Sequence, residues 1–413
     1  MNVIVSKSTI NGTVVSPPSK SYAHRLILAS FLSGKRVKIK NVGTSKDVLA
    51  TLNAVKALGA SIETYDNYVI VEKQNLINGA TINCDESGST LRFLMPIIPA
   101  LKISATLTGS PTLLSRPNEK LIECLTQNGA KIDEFNISGE LKAGTYYIDA
   151  SISSQYITGL LFALSILDGE SKIVMLNKVV SSPYIVITLD VLKTFGVNVC
   201  YSGNEITIVG NSYVKTVDEV CVEGDWSGSA FILALGAING KVTVNNLNVN
   251  STQGDKAILQ ILKDFGAKVS VNGTSVTVEK SELKGIEVDI DKIPDLAQVI
   301  SAVASYAKGK TLIKNIERLK IKESDRVSAI VNSLTAIGVN AKIDGNSIIV
   351  IGGNHLGGVI DGGNDHRTVM AAVVCAVNAS EQVEILGAQA VNKSYTEFFE
   401  DFKKVGGKFS VNI

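Results

Sequence analysis

The chain has 413 residues, with 40 Lys and Arg against 39 Asp and Glu, so its formal net charge is +1. This balance excludes the strong positive field by which proteins hold nucleic acid or anionic membranes. Hydrophobic residues make up 45% of the chain, which is enough for large buried cores, and no apolar run approaches the roughly 18 residues of a membrane span. We therefore expect a soluble cytoplasmic protein of two or three domains that binds its ligands at local sites.

The cysteines and histidines do not form metal or disulfide patterns. The five cysteines are far apart in the sequence and include no CxxC pair. The three histidines, His24, His355 and His366, lack the HxxxH spacing of a zinc-binding helix. The sequence therefore predicts no metal site and no cofactor.

One pattern recurs six times along the chain: an amphipathic helix that ends in glycine, a short strand, a turn and a second strand. The glycines recur every 67 to 72 residues, and they are Gly59, Gly129, Gly196, Gly266, Gly338 and Gly406. Each is predicted to supply the left-handed backbone that ends a helix. Asn272-Gly273 and Asp344-Gly345 are predicted to form hairpin turns in the fourth and fifth copies. Six copies of a mixed α/β motif indicate two domains of three copies each, with a boundary near residues 212–225.

Seven polar stretches precede predicted apolar helices, where backbone N–H groups and the helix dipole favour anions. In chain order they are residues 17–25 (PPSKSYAHR), 86–92 (ESGSTLR), 115–117 (SRP), 153–155 (SSQ), 322–326 (KESDR), 365–367 (DHR) and 393–395 (KSY). Each stretch alone could be an ordinary helix cap, and the alternating charges of KESDR are typical of a solvated face. Their equivalent places in the repeat favour shared anion-binding faces.

These stretches resemble the signatures of the EPSP synthase family of enolpyruvyl transferases. The similarity lies in SKS followed by Arg25, in KESDR and DHR, and in the segments VEGDWSGSAF, LTGSPTLLSRP and SSPYIVITLDVLKTFGV. The resemblance implies an α/β fold of two inverse α/β barrels, each built from three repeated units of mixed sheet and helices, with the active site in the interdomain cleft. It also implies that residues 1–17 and 223–413 form one domain and that residues 18–222 form the other.

The resemblance implies transfer of the enolpyruvyl group of phosphoenolpyruvate to the 5-hydroxyl of shikimate 3-phosphate, with release of phosphate. The catalytic candidates are Asp295, Glu323 and Lys20. The candidates for binding shikimate 3-phosphate are Lys20, Ser21, Arg25, Ser153, Ser154, Gln155, Ser181, Tyr184, Asp295, Arg318 and Lys322. Those for phosphoenolpyruvate are Lys20, Gly88, Arg116, Gln155, Arg326, Arg367 and Lys393. These two small molecules are the expected partners of a monomer that binds neither nucleic acid nor membrane.

Three positions depart from the pattern of the family. Glu86 and Arg318 stand where many members have Asn, and Phe93 stands where many have Pro. Two alternatives stay open at this point. A UDP-N-acetylglucosamine enolpyruvyl transferase would share the fold, although Lys20 is followed here by Ser21 and not by the Asn of that enzyme. A non-catalytic anion-binding scaffold would have no use for Asp295 and Glu323.

Overall fold

The structure is a computed structural model that describes residues 1–412. Its strands are β1 (Asn2–Ser6), β2 (Asn11–Val15), β3 (Arg36–Lys40), β4 (Ala60–Thr64), β5 (Tyr68–Lys73), β6 (Ala80–Asn83), β7 (Ala105–Thr108), β8 (Ala130–Asp133), β9 (Asn136–Gly139), β10 (Thr145–Asp149), β11 (Glu170–Leu176), β12 (Val199–Ser202), β13 (Glu205–Val209), β14 (Glu219–Cys221), β15 (Lys241–Asn245), β16 (Lys268–Asn272), β17 (Ser275–Glu279), β18 (Glu287–Asp289), β19 (Lys310–Lys314), β20 (Asn340–Asp344), β21 (Ser347–Ile351), β22 (Gly358–Asp361), β23 (Val383–Leu386) and β24 (Lys408–Asn412). Its α-helices are α1 (Lys20–Ser33), α2 (Lys46–Ala57), α3 (Gly88–Ala100), α4 (Pro111–Leu114), α5 (Glu119–Gln127), α6 (Ser154–Leu164), α7 (Ser182–Thr194), α8 (Trp226–Asn239), α9 (Ile258–Phe265), α10 (Ala297–Ala304), α11 (Arg326–Ala336), α12 (His366–Ala376) and α13 (Phe398–Lys404).

The backbone divides into two compact units. The central unit comprises residues 18–222, and the split unit comprises residues 1–17 together with the chain from residue 223 onward. Each unit has its own buried hydrophobic core. The chain therefore leaves the split unit once, folds the central unit and returns.

Each unit contains three four-stranded mixed sheets of one topology. In one of them β10 and β11 are parallel and are joined through α6, while β12 and β13 form a hairpin that pairs antiparallel with β11. The other sheets of the central unit have the orders β14-β3-β5-β4 and β6-β7-β9-β8. Those of the split unit are β16-β17-β15-β2, β18-β19-β21-β20 and β22-β23-β1-β24. The predicted sixfold repeat is thus confirmed.

The sixth copy differs from its prediction in the origin of one strand. After Gly406 the chain forms only β24, and the strand that pairs with it is the N-terminal β1, antiparallel from Asn2 to Ser6. The pairing continues from β1 to β23. The last sheet therefore joins the first residues of the chain to the last strand.

All six punctuating glycines have the predicted left-handed backbone, with φ between +81° and +106°. The two hairpin turns lie one residue later than predicted. Asn272 pairs with Ser275, so the loop residues are Gly273 and Thr274, and the loop after Asp344 is likewise residues 345 and 346. Glycine takes the first loop position with φ near +58°, as in a type II′ turn, and the preceding Asn or Asp ends the strand.

Three helices in each unit are buried almost completely: α1, α3 and α6 in the central unit, and α8, α10 and α12 in the split unit. Their sequences are apolar on every side, as in WSGSAFILALGAIN of α8, which is typical of a helix in the middle of a core. Their charged residues lie in the first two turns, so the fold places charged groups near buried N-terminal ends. Within residues 1–412, no helix is long and apolar enough to cross a membrane.

We predict that Gly59→Ala destabilises the protein far more than Gly273→Ala. Both glycines have positive φ, which costs an L-residue about 1–2 kcal/mol. A Cβ at Gly59 would lie 2.1 Å from the carbonyl oxygen of Asn75, whereas one at Gly273 would meet nothing within 4 Å. Urea denaturation should show a loss above about 3 kcal/mol for Gly59→Ala and about 1–2 kcal/mol for the control. Equal losses would mean that this close approach does not limit stability.

Candidate active site

Arg25 lies at the centre of the polar groups of the central unit. Its side chain is 2% exposed and binds only neutral oxygens: Nε donates to Thr188 Oγ1 at 2.8 Å, and the terminal nitrogens donate to the carbonyls of Ser21 and Tyr184 at 2.8 and 3.1 Å. A further contact reaches Thr158 Oγ1 at 3.3 Å. These partners come from α1, α6 and α7, so the guanidinium joins three helix N-terminal halves.

The charge of Arg25 has no carboxylate partner among the described residues. Burial lowers the pKa of the guanidinium to about 10, although nearby tyrosines act in the opposite direction. The side chain therefore stays charged at neutral pH. A buried cation that is hydrogen-bonded only to neutral groups is costly, and an anionic ligand would relieve that cost.

Serines and a glutamine surround the start of α6 and α7. Ser153 is the N-cap of α6, and its hydroxyl accepts a bond from the backbone N–H of Gln155 at 3.2 Å. Ser154 is buried in the first turn. Ser181 caps α7 with φ +49° and ψ +40°, a conformation that is uncommon for a residue with a Cβ. Tyr184 follows in the first turn of α7.

A second cationic position lies where the 86–92 loop enters α3. Arg116 is half-buried, its Nε has no hydrogen-bond partner, and no carboxylate of the described chain pairs with it. Its Nη1 lies 2.7 Å from the place that a Cβ on Gly88 would occupy. A side chain at position 88 would therefore displace this guanidinium.

Lys20 and Gln155 are held by neighbouring side chains. Lys20 Nζ lies 2.7 Å from Asp47 Oδ2, in a largely buried ion pair between α1 and α2. Gln155 donates to Ser89 Oγ at 3.0 Å and accepts from Arg92 at 2.8 Å. The side chains that resemble family signatures in the central unit thus converge on the first turns of α1, α3, α6 and α7.

In the split unit, Arg326 lies among three carboxylates. Its Nε donates to Asp365 at 2.7 Å, Nη1 to Asp295 at 2.8 Å and Nη2 to Glu323 at 2.7 Å. The side chain is 1% exposed, so the alternative that KESDR forms a solvated face is wrong for this residue. We call Arg326 with Asp295, Glu323 and Asp365 the Arg326 cluster. Both carboxylates proposed for catalysis belong to it.

Asp365 anchors the cluster from the N-cap of α12. Its side chain is fully buried, and its Oδ1 accepts the backbone N–H of Arg367 at 2.9 Å. Burial, the largest single effect, raises the pKa of this carboxyl, but the charge of Arg326, the neighbouring His366 and the hydrogen bond from Arg326 together lower it. Arg367 in turn binds the backbone oxygen of Asp295 at 3.0 Å and approaches its carboxylate at 3.5 Å.

Three further cations of the split unit were predicted to bind substrate: Lys322, Arg318 and Lys393. Lys322 Nζ lies 3.4 Å from Asp295, and burial lowers its pKa to about 8. Arg318 is half-buried on the 3-10 turn Glu317–Ile321. Lys393 is buried on the 3-10 turn Ala388–Lys393 and donates to the carbonyl of Asn364, just before α12. Among residues 1–412, no group of three or more His, Cys, Asp and Glu side chains is arranged to hold a metal ion.

The sequence analysis did not identify several residues that orient the site. Thr158 and Thr188 hold Arg25, yet they lie 133 and 163 residues from it. Arg92 lies in the 86–92 stretch, but no role was predicted for it; its side chain donates to Gln155. Asp365 was quoted only for its family resemblance. A threonine inside an apolar helix, as in YITGLL, was the one sequence signal for such a contact.

Comparison with known proteins identifies the family of the chain. The family model described as EPSP synthase (3-phosphoshikimate 1-carboxyvinyltransferase) matches residues 4–402. The chain belongs to the EPSP synthase family. Relatives named 3-phosphoshikimate 1-carboxyvinyltransferase include those of Clostridium novyi, 37% identical over 98% of both chains, and Brachyspira hyodysenteriae, 38% identical over 99% of both. The resemblance stated from the sequence is confirmed.

Solved structures confirm the predicted fold class of this EPSP synthase family member. The EPSP synthase of Acinetobacter baumannii has a TM-score of 0.83 at 24% identity and covers 99% of this chain and 100% of its own. The enolpyruvyl transferase NikO of Streptomyces tendae has a TM-score of 0.80 at 15% identity, covering 99% and 98%. The shared fold is the two-domain inverse α/β barrel.

We predict that substitution of Arg326 destabilises the protein much more than substitution of Arg25, although both side chains are buried. Arg326→Met would remove the cation that three carboxylates share, one of which, Asp365, has no exposure, and should cost about 3–5 kcal/mol. Arg25→Met removes a charge that has only neutral partners, and Thr158 and Thr188 can still bond each other at 2.8 Å. Its cost should stay within about 1 kcal/mol.

Denaturation at pH 7 and at pH 4 measures both effects. The penalty of Arg326→Met relative to the unsubstituted protein should shrink at pH 4, because protonation neutralises these carboxylates. A penalty for Arg25→Met as large as that for Arg326→Met would show that the Arg25 charge is compensated within the protein.

Proposed function

We propose that the protein transfers the enolpyruvyl group of phosphoenolpyruvate to the 5-hydroxyl of shikimate 3-phosphate and releases phosphate. Membership of the EPSP synthase family supports this reaction. The observation that carries it is a contrast between the two units: Arg25 and Arg116 of the central unit have no carboxylate partner among the described residues, whereas three carboxylates surround Arg326 in the split unit. All proposed contacts come from one chain, so we further propose that it acts as a monomer in the cytoplasm.

The anionic substrates account for the unpaired cations of the central unit. Shikimate 3-phosphate and phosphoenolpyruvate each carry a phosphate and a carboxylate, and these groups repel one another. We assign Arg25, Ser21, Ser153, Ser154, Ser181 and Tyr184 to shikimate 3-phosphate, and Gly88 and Arg116 to phosphoenolpyruvate. Lys20 and Gln155 contact both. Charge-assisted bonds from a partly desolvated arginine are among the strongest that proteins make to such groups.

The split unit supplies the remaining contacts and the proton transfers. We assign Lys322 and Arg318 to shikimate 3-phosphate, and Arg367 and Lys393 to phosphoenolpyruvate. Arg326, assigned from the resemblance to phosphoenolpyruvate, has each of its guanidinium nitrogens bonded to a carboxylate. We therefore propose that Arg326 acts chiefly by orienting Asp295 and Glu323.

The reaction is an addition followed by an elimination. Asp295 accepts the proton of the 5-hydroxyl while the hydroxyl oxygen bonds to C2 of phosphoenolpyruvate. In the same addition, C3 gains a proton from the acid form of Glu323, assisted by Lys20. The C2–O bond to phosphate then breaks, and the phosphate leaves with the proton that Asp295 accepted. C3 returns a proton to Glu323, and the C2–C3 double bond re-forms. A positioned acid or base contributes about 10²–10⁴-fold to such steps.

Phosphate release tests the reaction and its alternatives. The protein should release phosphate from phosphoenolpyruvate only when shikimate 3-phosphate is present, and the product should contain one enolpyruvyl group. Release with UDP-N-acetylglucosamine in place of shikimate 3-phosphate would indicate the related transferase. Binding of both anions without release would indicate a non-catalytic scaffold.

We predict that Asp295→Asn and Glu323→Gln each lower saturated turnover by about 10²–10⁴-fold, because an amide keeps an acceptor for Arg326 but moves no proton. Calorimetry should show affinity for shikimate 3-phosphate within a few fold of normal. Glu287→Gln is the matched control, since it removes a carboxylate from an exposed ion pair with Lys314. Near-normal turnover in both site variants would remove these carboxylates from the mechanism.

We predict that affinity for shikimate 3-phosphate falls above pH 8 because Lys322 loses its proton. With a pKa of about 8, its ammonium is mostly charged at pH 7 and mostly neutral at pH 9. The dissociation constant should therefore rise about tenfold between these values. Lys322→Arg stays charged over the whole range and should show a flat profile. Parallel profiles for the two proteins would mean that Lys322 does not meet the ligand.

A further inference from the structure

A line of buried polar atoms crosses three helices of the central unit. His24 Nδ1 lies 2.6 Å from Thr51 Oγ1, which lies 2.7 Å from Thr90 Oγ1, which lies 2.7 Å from Ser87 Oγ. Each of the four side chains is at most 1% exposed. We call these four residues the polar chain. It begins on α1, passes through α2 and ends at the N-cap of α3.

The hydrogen bonds of the polar chain have one preferred direction. Burial, then the charges of Lys20 and Arg25, lower the pKa of His24 well below its usual value, so the ring is neutral. Its Nε2 is buried without a partner. An unpaired acceptor is tolerated in protein interiors more often than an unpaired N–H. We therefore expect the proton on Nδ1, donating to Thr51, with the hydroxyls of Thr51 and Thr90 donating onward.

The polar chain connects two groups of proposed substrate contacts. On α1 and α2 the bond from His24 to Thr51 lies one turn after the ion pair of Lys20 with Asp47. At its other end, Ser87 caps α3 by accepting the N–H of Thr90 at 3.2 Å, and Gly88 follows it directly. The same helical turn is held from the opposite side by the bond of Gln155 to Ser89.

Packing alone does not require four polar side chains at this place. Apolar residues of similar size would fill the same volume without the desolvation of hydroxyls and an imidazole. A fully connected buried network does specify one arrangement of the elements that it joins. Here the elements are α1, with Lys20 and Arg25, and the loop that ends at Gly88.

We propose that the polar chain is a positioning device for the phosphoenolpyruvate site, which fixes the Ser87–Gly88 backbone against α1. Its members are buried and act through Gly88 and Arg116, so they are positioning residues and not catalytic ones. This proposal rests on the proposed function, because it uses the assignment of Gly88 and Arg116 to phosphoenolpyruvate. Loss of one hydrogen bond of the polar chain should therefore weaken the binding of phosphoenolpyruvate but not that of shikimate 3-phosphate.

The test compares Thr51→Val, which keeps the shape and removes the hydroxyl, with Thr51→Ser, which keeps the hydroxyl. Thr51→Val should raise the KM for phosphoenolpyruvate about five- to fiftyfold, the usual effect of leaving a buried polar group unpaired. The dissociation constant of shikimate 3-phosphate should stay within about twofold, and Thr51→Ser should restore the KM to within about threefold. Ser165→Ala removes another buried hydroxyl of the central unit, bonded to the carbonyl of Phe162, and should leave both constants unchanged.

A second readout does not depend on turnover. Nitrogen-15 NMR of the ligand-free protein should show the His24 proton on Nδ1, and Thr51→Val should alter that signal while Ser165→Ala does not. Three results would overturn the positioning role: a proton on Nε2, equally weaker binding of both substrates by Thr51→Val, or an effect of Thr51→Val on the melting temperature alone. If the unsubstituted protein released no phosphate while the ring carried the expected proton, the proposed function would fail and the positioning role with it. Phosphate release with an unselective Thr51→Val would overturn the positioning role alone.

Discussion

The charge of Arg25, buried among neutral oxygens, is the constraint around which the central unit is arranged. Two threonines, two carbonyls and the start of three helices converge on one guanidinium, and no carboxylate of residues 1–412 neutralises it. Hydrogen bonds to groups of α1, α6 and α7 hold the guanidinium in place. A buried charge with only neutral partners favours an anionic ligand.

In the split unit, by contrast, the buried arginine is paired with carboxylates. Arg326 is buried as deeply as Arg25, yet three carboxylates surround it, and the Arg326 cluster brings together Asp295 and Glu323 from two different elements. The same side chain type therefore has two uses in one molecule. Where the cation is unpaired it favours anion binding, and where it is paired it fixes groups that can exchange protons. Addition and elimination between two anions require both.

The fold could be predicted from the sequence because its signals are local and repeated. Glycines such as Gly59 end helices by a backbone conformation that other residues avoid, and the sixfold spacing indicated two units of three. The long-range contacts could not be predicted in this way. Thr188 meets Arg25 across 163 residues, and β1 completes a sheet begun near residue 358. The polar chain could not be predicted either, because Thr51 occupies a buried position of an amphipathic helix and the sequence does not show its partners. Family resemblance named the contacts, but only the structure showed which cations are paired.

A thermodynamic cycle on Arg25 tests the central claim most directly. Calorimetry would compare shikimate 3-phosphate with shikimate, which lacks the phosphate, and with a carboxyl methyl ester, which lacks the carboxylate charge. Each ligand would be titrated into the unsubstituted protein and into Arg25→Met. The preference for an anionic group is the ratio of the affinities with and without that group. We expect Arg25→Met to lower this ratio at least about tenfold for either the phosphate or the carboxylate, which is the size of a charge-assisted bond. Unchanged preference for both groups would contradict this expectation, because Arg25 would then meet neither.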